Sequence, residues 1–339
     1  MGADSMRAGF ALGYDPSMTF TEMAGWMRRA EERGFALGFF SETLNLVRDS
    51  VTALSAFALA TRTMSLGATQ VVRLRSPVLM AQTAACLDEL SGGRIVLVPG
   101  ACTRNHARVH GMEHLDPALT LREWVQAIRL LLTGHAVSFH GQFVRFDNVR
   151  LAWKPPRAHV PLWIAASSLK GLRLAGEIGD GVLLDSVCSA EYAANAIRIL
   201  REAVEEAGRD WSQFTVAQII PTSIEDDREK AIDAIRWEVA SKMNPARAKY
   251  NTRVRMQVGE PYIREEDLPA FKEAFERGGR DGLARAIPAS YVEGLTACGT
   301  PDDVRRRVQQ YRDAGVELPL LRPAARHQIT RLQDVFALS

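Results

Sequence analysis

Residues 167–171, Ser-Ser-Leu-Lys-Gly, stand where an apolar run gives way to an amphipathic one. Two hydroxyls, one ammonium and the free N–H groups of a helix start can converge there on an anion such as a phosphate. The same serines also make good helix N-caps, so both readings stay open. His106 and His110 lie four apart, a spacing that can put two imidazoles on one helical face as metal ligands. No nearby Asp, Glu or Cys completes a set, and Glu113 and His114 do not obviously converge with them, so no metal site is expected. Cys86, Cys102, Cys188 and Cys298 are too far apart for a zinc-type cluster, and reduced thiols are expected, with packing roles for Cys102 and Cys188. Arg247, Lys249, Arg253 and Arg255, with Tyr250 among them, read as a solvated charged face.

The elements that must position these groups are legible as eight short apolar runs, each followed by an amphipathic stretch. They cover residues 7–13, 36–41, 65–72, 94–100, 161–167, 181–187, 215–221 and 316–322. Strands alternating with helices imply a parallel sheet. Eight such units predict a closed (β/α)8 barrel, the TIM barrel, whose chemistry sits just after the strand C-termini. Helix signals agree. Thr19 and Glu22 form a capping box before an apolar face of Phe20, Met23, Met27 and Ala30, and Gly34 ends that helix. Thr300, Pro301 and Asp303 start another, and residues 226–243 read as a third.

Two stretches exceed ordinary barrel loops. Residues 135–160, after the fourth helix, alternate Val137, Phe139, Phe143, Val144 and Phe146 around His140-Gly141-Gln142, which predicts a hairpin. Residues 244–289, after the seventh strand and its helix, are charged and rich in Pro and Gly. They predict a partly helical lid or pocket wall, within residues 1–339 read as one barrel domain. With 42 basic against 40 acidic residues, bulk charge gives no case for nucleic acid or an anionic membrane. No apolar stretch approaches the 18–20 residues or so of a membrane span, so a cytoplasmic location is expected.

Three motifs carry a resemblance. Leu90-Ser91-Gly92-Gly93-Arg94, running on to Gly100-Ala101, resembles the fourth-strand pattern of the bacterial luciferase-like flavin oxidoreductases. The stretch from Ile164 through Ser167-Ser168 to Leu174-Ala175-Gly176-Glu177-Ile178-Gly179-Asp180-Gly181 is similar to their fifth-strand segment, and Cys298-Gly299-Thr300-Pro301 followed by Ala314-Gly315-Val316 to their C-terminal pattern. The form of the middle motif looks more like the methylenetetrahydromethanopterin reductase branch, which uses the deazaflavin F420, than like the FMN-dependent relatives.

The resemblance implies a hydride transfer between F420 and a small organic substrate. Its alternatives are an FMN-dependent, oxygen-using monooxygenase supplied by a flavin reductase partner, or a flavin-binding protein without turnover. It implies a phosphate held by Ala166, Ser167, Ser168, Leu169, Lys170 and Gly171, and a ring beside Gly100, Ala101 and Cys102. Arg104 and Asn105 would touch ribityl or phosphate groups. A non-prolyl cis peptide would back the ring at Thr69-Gln70-Val71, best placed at the Thr69–Gln70 bond. Glu42 stands at the family's acidic position, where a carboxylate in a low-dielectric pocket can work as acid or base; the alternative is a structural pair with Arg73 or Arg75. Thr43 stands where relatives carry His, so their proton chemistry does not transfer whole. A homodimer through helices near strands two and three is also implied. With F420, the basic group around Arg247 would face the cofactor's acidic tail.

Overall fold

The computed structural model describes residues 7–12, 15–42, 47–72, 74–102, 104–112 and 116–338, without the side chains of 104–106. Its barrel strands are β1 (Gly9–Ala11), β2 (Leu37–Phe40), β3 (Ser65–Val71) and β4 (Ile95–Gly100). A hairpin of β5 (Val137–His140) and β6 (Arg145–Val149) follows, and then come β7 (Trp163–Ala166), β8 (Gly181–Leu184), β9 (Thr215–Ile224), β10 (Ala297–Gly299) and β11 (Leu318–Pro323). The parallel order is β4-β3-β2-β1-β11-β9-β8-β7. A parallel bridge between Leu97 and Leu162 joins the two outer strands, and Leu97 N–H donates to Pro161 O at 3.0 Å. All eight apolar runs therefore supply the barrel. The short β10 was not among them; it pairs with the far end of β9, which runs on to Ile224 rather than stopping at residue 221.

Side chains alternating inward along the strands fill the barrel. Leu37, Phe39, Val96, Val98, Trp163, Leu183, Ile219 and Leu320 form that inner cluster, while a larger one joins the strands' outer faces to the helices. The expected caps are present. Thr19 and Glu22 form their box before Phe20–Glu32, as do Thr300 and Asp303 before Pro301–Asp313, and Asp227 caps Arg228–Lys242.

The motifs at the N-terminal end of the barrel are architectural. Arg94 donates to Ser91 O (2.6 Å), Met64 O (2.7 Å), Thr61 Oγ1 (2.9 Å), Ala58 O (3.1 Å) and Thr61 O (3.1 Å). One guanidinium fork thus ties the loop before β3 to the one before β4. Gly92 and Gly93, at φ +68° and +84°, make the left-handed exit from the preceding helix that a side chain would oppose. Asp180, before β8, accepts from Leu162 N–H at 2.9 Å and pairs with Arg129 at 2.8 Å.

The hairpin forms as expected. Buried Glu123, on the Pro117–Leu132 helix, accepts the N–H groups of Gln142 (2.7 Å), Phe143 (2.8 Å) and Val144 (2.9 Å). A Cβ on Gly141 would lie 2.5 Å from that carboxylate, which explains the glycine. Residues 244–289 are more helical than expected. Ala248–Met256 and Leu268–Ala286, the latter kinked at Gly278 and Gly279, precede Ala289–Leu295. Ile263, Phe271, Leu283 and Ile287 from this segment form a separate small core with Ile232, Ile235 and Val239 of the Arg228–Lys242 helix.

Candidate active site at the strand C-termini

The C-terminal ends of β2, β3, β4 and β7 bring most of the expected site residues to one face of the barrel. At the β2–β3 rim, Glu42 N–H donates to Thr69 Oγ1 at 2.5 Å and Val71 N–H donates to Glu42 Oε2 at 3.2 Å. Arg75 Nη1 reaches Glu42 Oε1 at 3.0 Å, and the Glu42 side chain is only 6% exposed. Of the two arginines expected as partners, Arg75 pairs with Glu42. Arg73 and Thr43 lie outside the described residues. Arg75 is itself held by Asp49, by Gln70 Oε1 at 3.1 Å, and through its carbonyl by Trp124 Nε1 at 3.1 Å.

Gln70 is buried with its amide on Ser50 Oγ at 2.9 Å. It therefore faces the Ser50–Ala60 helix, and alternation gives the barrel mouth to Thr69 and Val71. The expected cis peptide is absent: no peptide bond among the described residues is cis. β3 stays in unbroken register with β4 through Thr69, Gln70 and Val71, opposite Val98, Pro99 and Gly100, so the chain takes no bulge there.

Gly100, Ala101 and Cys102 follow β4, with Cys102 half-buried and at φ +59°. A Cβ on Gly100 would meet Ala165 of β7 at 3.5 Å, so the two strand ends approach closely over a small-residue floor. Arg104 and Asn105 begin the short Arg104–Val109 helix; their side chains, like that of His106, lie outside the described residues, as do Glu113 and His114. Among the described residues no group of three His, Cys, Asp or Glu is placed to hold a metal.

After β7, Ser168 is the N-cap of Leu169–Ile178, its Oγ accepting Gly171 N–H at 3.1 Å. The capping role is therefore real. It leaves the first helical N–H groups, the Ser167 hydroxyl and the exposed Lys170 ammonium on the same turn, a donor set suited to an anion. Leu169 and Lys170 also line a lateral cavity of about 680 Å³ with Arg122, Gln142 and Arg173.

One cluster had no counterpart in the sequence reading. Asp185, directly after β8, pairs with Lys242 at 2.8 Å and with Arg255 at 2.9 Å. Arg255 is 1% exposed, which corrects its place in a solvated basic face; Arg247, Lys249, Tyr250 and Arg253 are exposed. The signal available was Asp185 itself, a carboxylate just past the sixth strand. Burial pushes its carboxyl up, but Lys242 and Arg255 outweigh that and hold it well below the usual range. Such a group lends stability that is complete above the unfolded pKa of about 3.9 and is lost as pH falls through the native value. The stability difference between wild type and Asp185→Asn should stay constant from neutral pH to about 5 and shrink below about 4. Urea denaturation across that range checks this, and a difference undiminished at about pH 3 would contradict it. Cys188 and Cys298 are packed thiols, pushed up by burial, Cys298 to about 11.

The closed parallel barrel thus carries at its C-terminal mouth a capped helix start, a stretch of small residues and a carboxylate paired with an arginine. Comparison with known proteins agrees. The luciferase-like monooxygenase family profile matches residues 5–318. The 5,10-methylenetetrahydromethanopterin reductase of Archaeoglobus fulgidus is 30% identical over 309 residues, covering 91% of each chain. Among solved structures, the coenzyme F420-dependent tetrahydromethanopterin reductase of Methanopyrus kandleri superposes with a TM-score of 0.82 at 23% identity, over 96% of this chain and 97% of its own. An F420-dependent secondary alcohol dehydrogenase, bound to an F420-acetone adduct, gives 0.77 at 20% identity over 98% and 100%. The chain belongs to the luciferase-like monooxygenase family and is an oxidoreductase enzyme. No helix among the described residues is long and apolar enough to cross a membrane.

Proposed function

We propose that the protein is an F420-dependent oxidoreductase that moves a hydride between the deazaflavin and a small organic substrate at the barrel mouth. The observation that carries this reading is the full-length relation to a methylenetetrahydromethanopterin reductase, together with a fold match to an F420-dependent enzyme. The donor set fits the cofactor: helix-start N–H groups, Ser167 and Lys170 suit its phosphate, and Gly100 and Ala101 put no bulky side chain at the end of β4. F420, when bound, supplies the hydride chemistry.

The chain's own contribution is positioning and proton handling. Thr69 and Val71 form the wall at the β3 end, and Arg75 orients Glu42. A carboxylate has about four lone-pair sites, and the three donor contacts from Val71 and Arg75 leave room for a substrate proton. Glu42 would take that proton when substrate is oxidised and return it in the reverse direction.

Titrating the purified protein separately with F420 and FMN, following ligand fluorescence, is expected to show F420 binding at least about tenfold more tightly, a difference of about 1.4 kcal/mol. Product should form without oxygen. Tighter FMN binding, with labelled oxygen in the product, would replace this reading with a monooxygenase fed by a flavin reductase. Binding without redox change across varied substrates would leave a flavin-binding protein.

A further inference from the structure

We infer that Arg255 is a positioning residue for the anion end of the site: carried by residues 244–289, it fixes the turn after β8 and, through Tyr192, the strand end bearing Ser167. Its guanidinium donates to Val187 O (2.5 Å), Ser186 O (3.0 Å) and Asp185 Oδ2 (2.9 Å). Three acceptors in one turn suit a rigid planar fork, and lysine could not satisfy them together. The turn needs holding. Val187 sits at φ +58°, a left-handed conformation that a β-branched residue adopts only when its surroundings impose it.

A second residue of the same segment acts beside the first. Glu260 accepts Ser189 N–H at 2.9 Å, and Ser189 is the N-cap of Ala190–Glu206. In the first turn of that helix lies Tyr192, wholly buried, whose hydroxyl donates to Ser167 O at 2.7 Å. A continuous set of contacts therefore runs from Arg255 and Glu260, across residues 185–189, to the Ser167–Gly171 turn. On this inference, residues 244–289 act on the phosphate end of the cofactor site and are more than a cover over the substrate. The inference rests on the reading of Ser167–Gly171 as a phosphate cradle.

The test compares F420 with its phosphate-free deazaflavin-ribitol core, each titrated by fluorescence into wild type, Arg255→Ala, Arg255→Lys and Tyr192→Phe, with melting curves for all four. Wild type should prefer F420. Arg255→Ala and Tyr192→Phe should each shrink that preference by about tenfold while core binding changes by less than about threefold, and Arg255→Lys should restore part of it. If Arg255→Ala fails to fold, Tyr192→Phe, which deletes one hydroxyl, carries the same comparison. Folded variants that keep the wild-type preference, or that lose both ligands equally, would overturn the inference even with a lowered melting temperature. A wild type without any preference would instead remove the cradle reading itself, and the positioning role with it.

Discussion

Replacing Glu238 with alanine is expected to destabilise the protein by about 3–5 kcal/mol, the cost of breaking a buried ion pair by removing one partner. Glu238 lies on the inner face of the Arg228–Lys242 helix, and Arg322 lies near the end of β11. Their side chains are 4% and 2% exposed, with Nη2 and Oε2 2.8 Å apart. Alanine would leave the guanidinium, 2% exposed, without the carboxylate that its Nη2 faces. The pair itself need not favour folding over a well-packed apolar substitute. Glu238→Met with Arg322→Met should therefore recover most of the loss. Urea denaturation of the three proteins checks this through the midpoint at unchanged slope. A loss below about 1 kcal/mol for Glu238→Ala would mean that water or another group satisfies the arginine.

The same pair marks the boundary of what the sequence reveals. The eight barrel strands were legible because each packs between an inner core and a helix layer, so each reads as a continuous apolar run. The capping boxes were legible because their chemistry closes within three residues, as at Thr19–Glu22 and Thr300–Asp303. β10 was not, since its three residues carry no periodicity and form a strand only by pairing with β9. Arg255 and Asp185 are 70 residues apart and Arg322 and Glu238 are 84 apart. Nothing local separates an arginine that ends in such a pair from the exposed Arg253 beside it. Family motifs were found for a related reason. Arg94, Gly92, Gly93 and Asp180 hold the N-terminal end of the barrel, so they identify the scaffold without locating its chemistry. The residues at the other end are small or ordinary in type, and only their place after the strands singles them out.

Glu42→Gln should lower kcat by about 100-fold, the smaller end of what a positioned proton-transfer group contributes, and change cofactor affinity by less than about threefold. Glutamine keeps the volume and one acceptor oxygen, so the bond from Val71 N–H can persist. It loses the charge that faces Arg75 and can no longer accept a proton. Arg75→Met separates these two consequences. If Glu42 acts on the substrate proton while Arg75 orients it, removing the arginine leaves the carboxylate in place, and activity should then fall less than in Glu42→Gln. If Glu42 serves only to anchor Arg75, the two variants should be equally impaired. A Glu42→Gln enzyme within about threefold of wild type in kcat would assign the carboxylate to the scaffold and leave proton handling to solvent or to another group at the mouth.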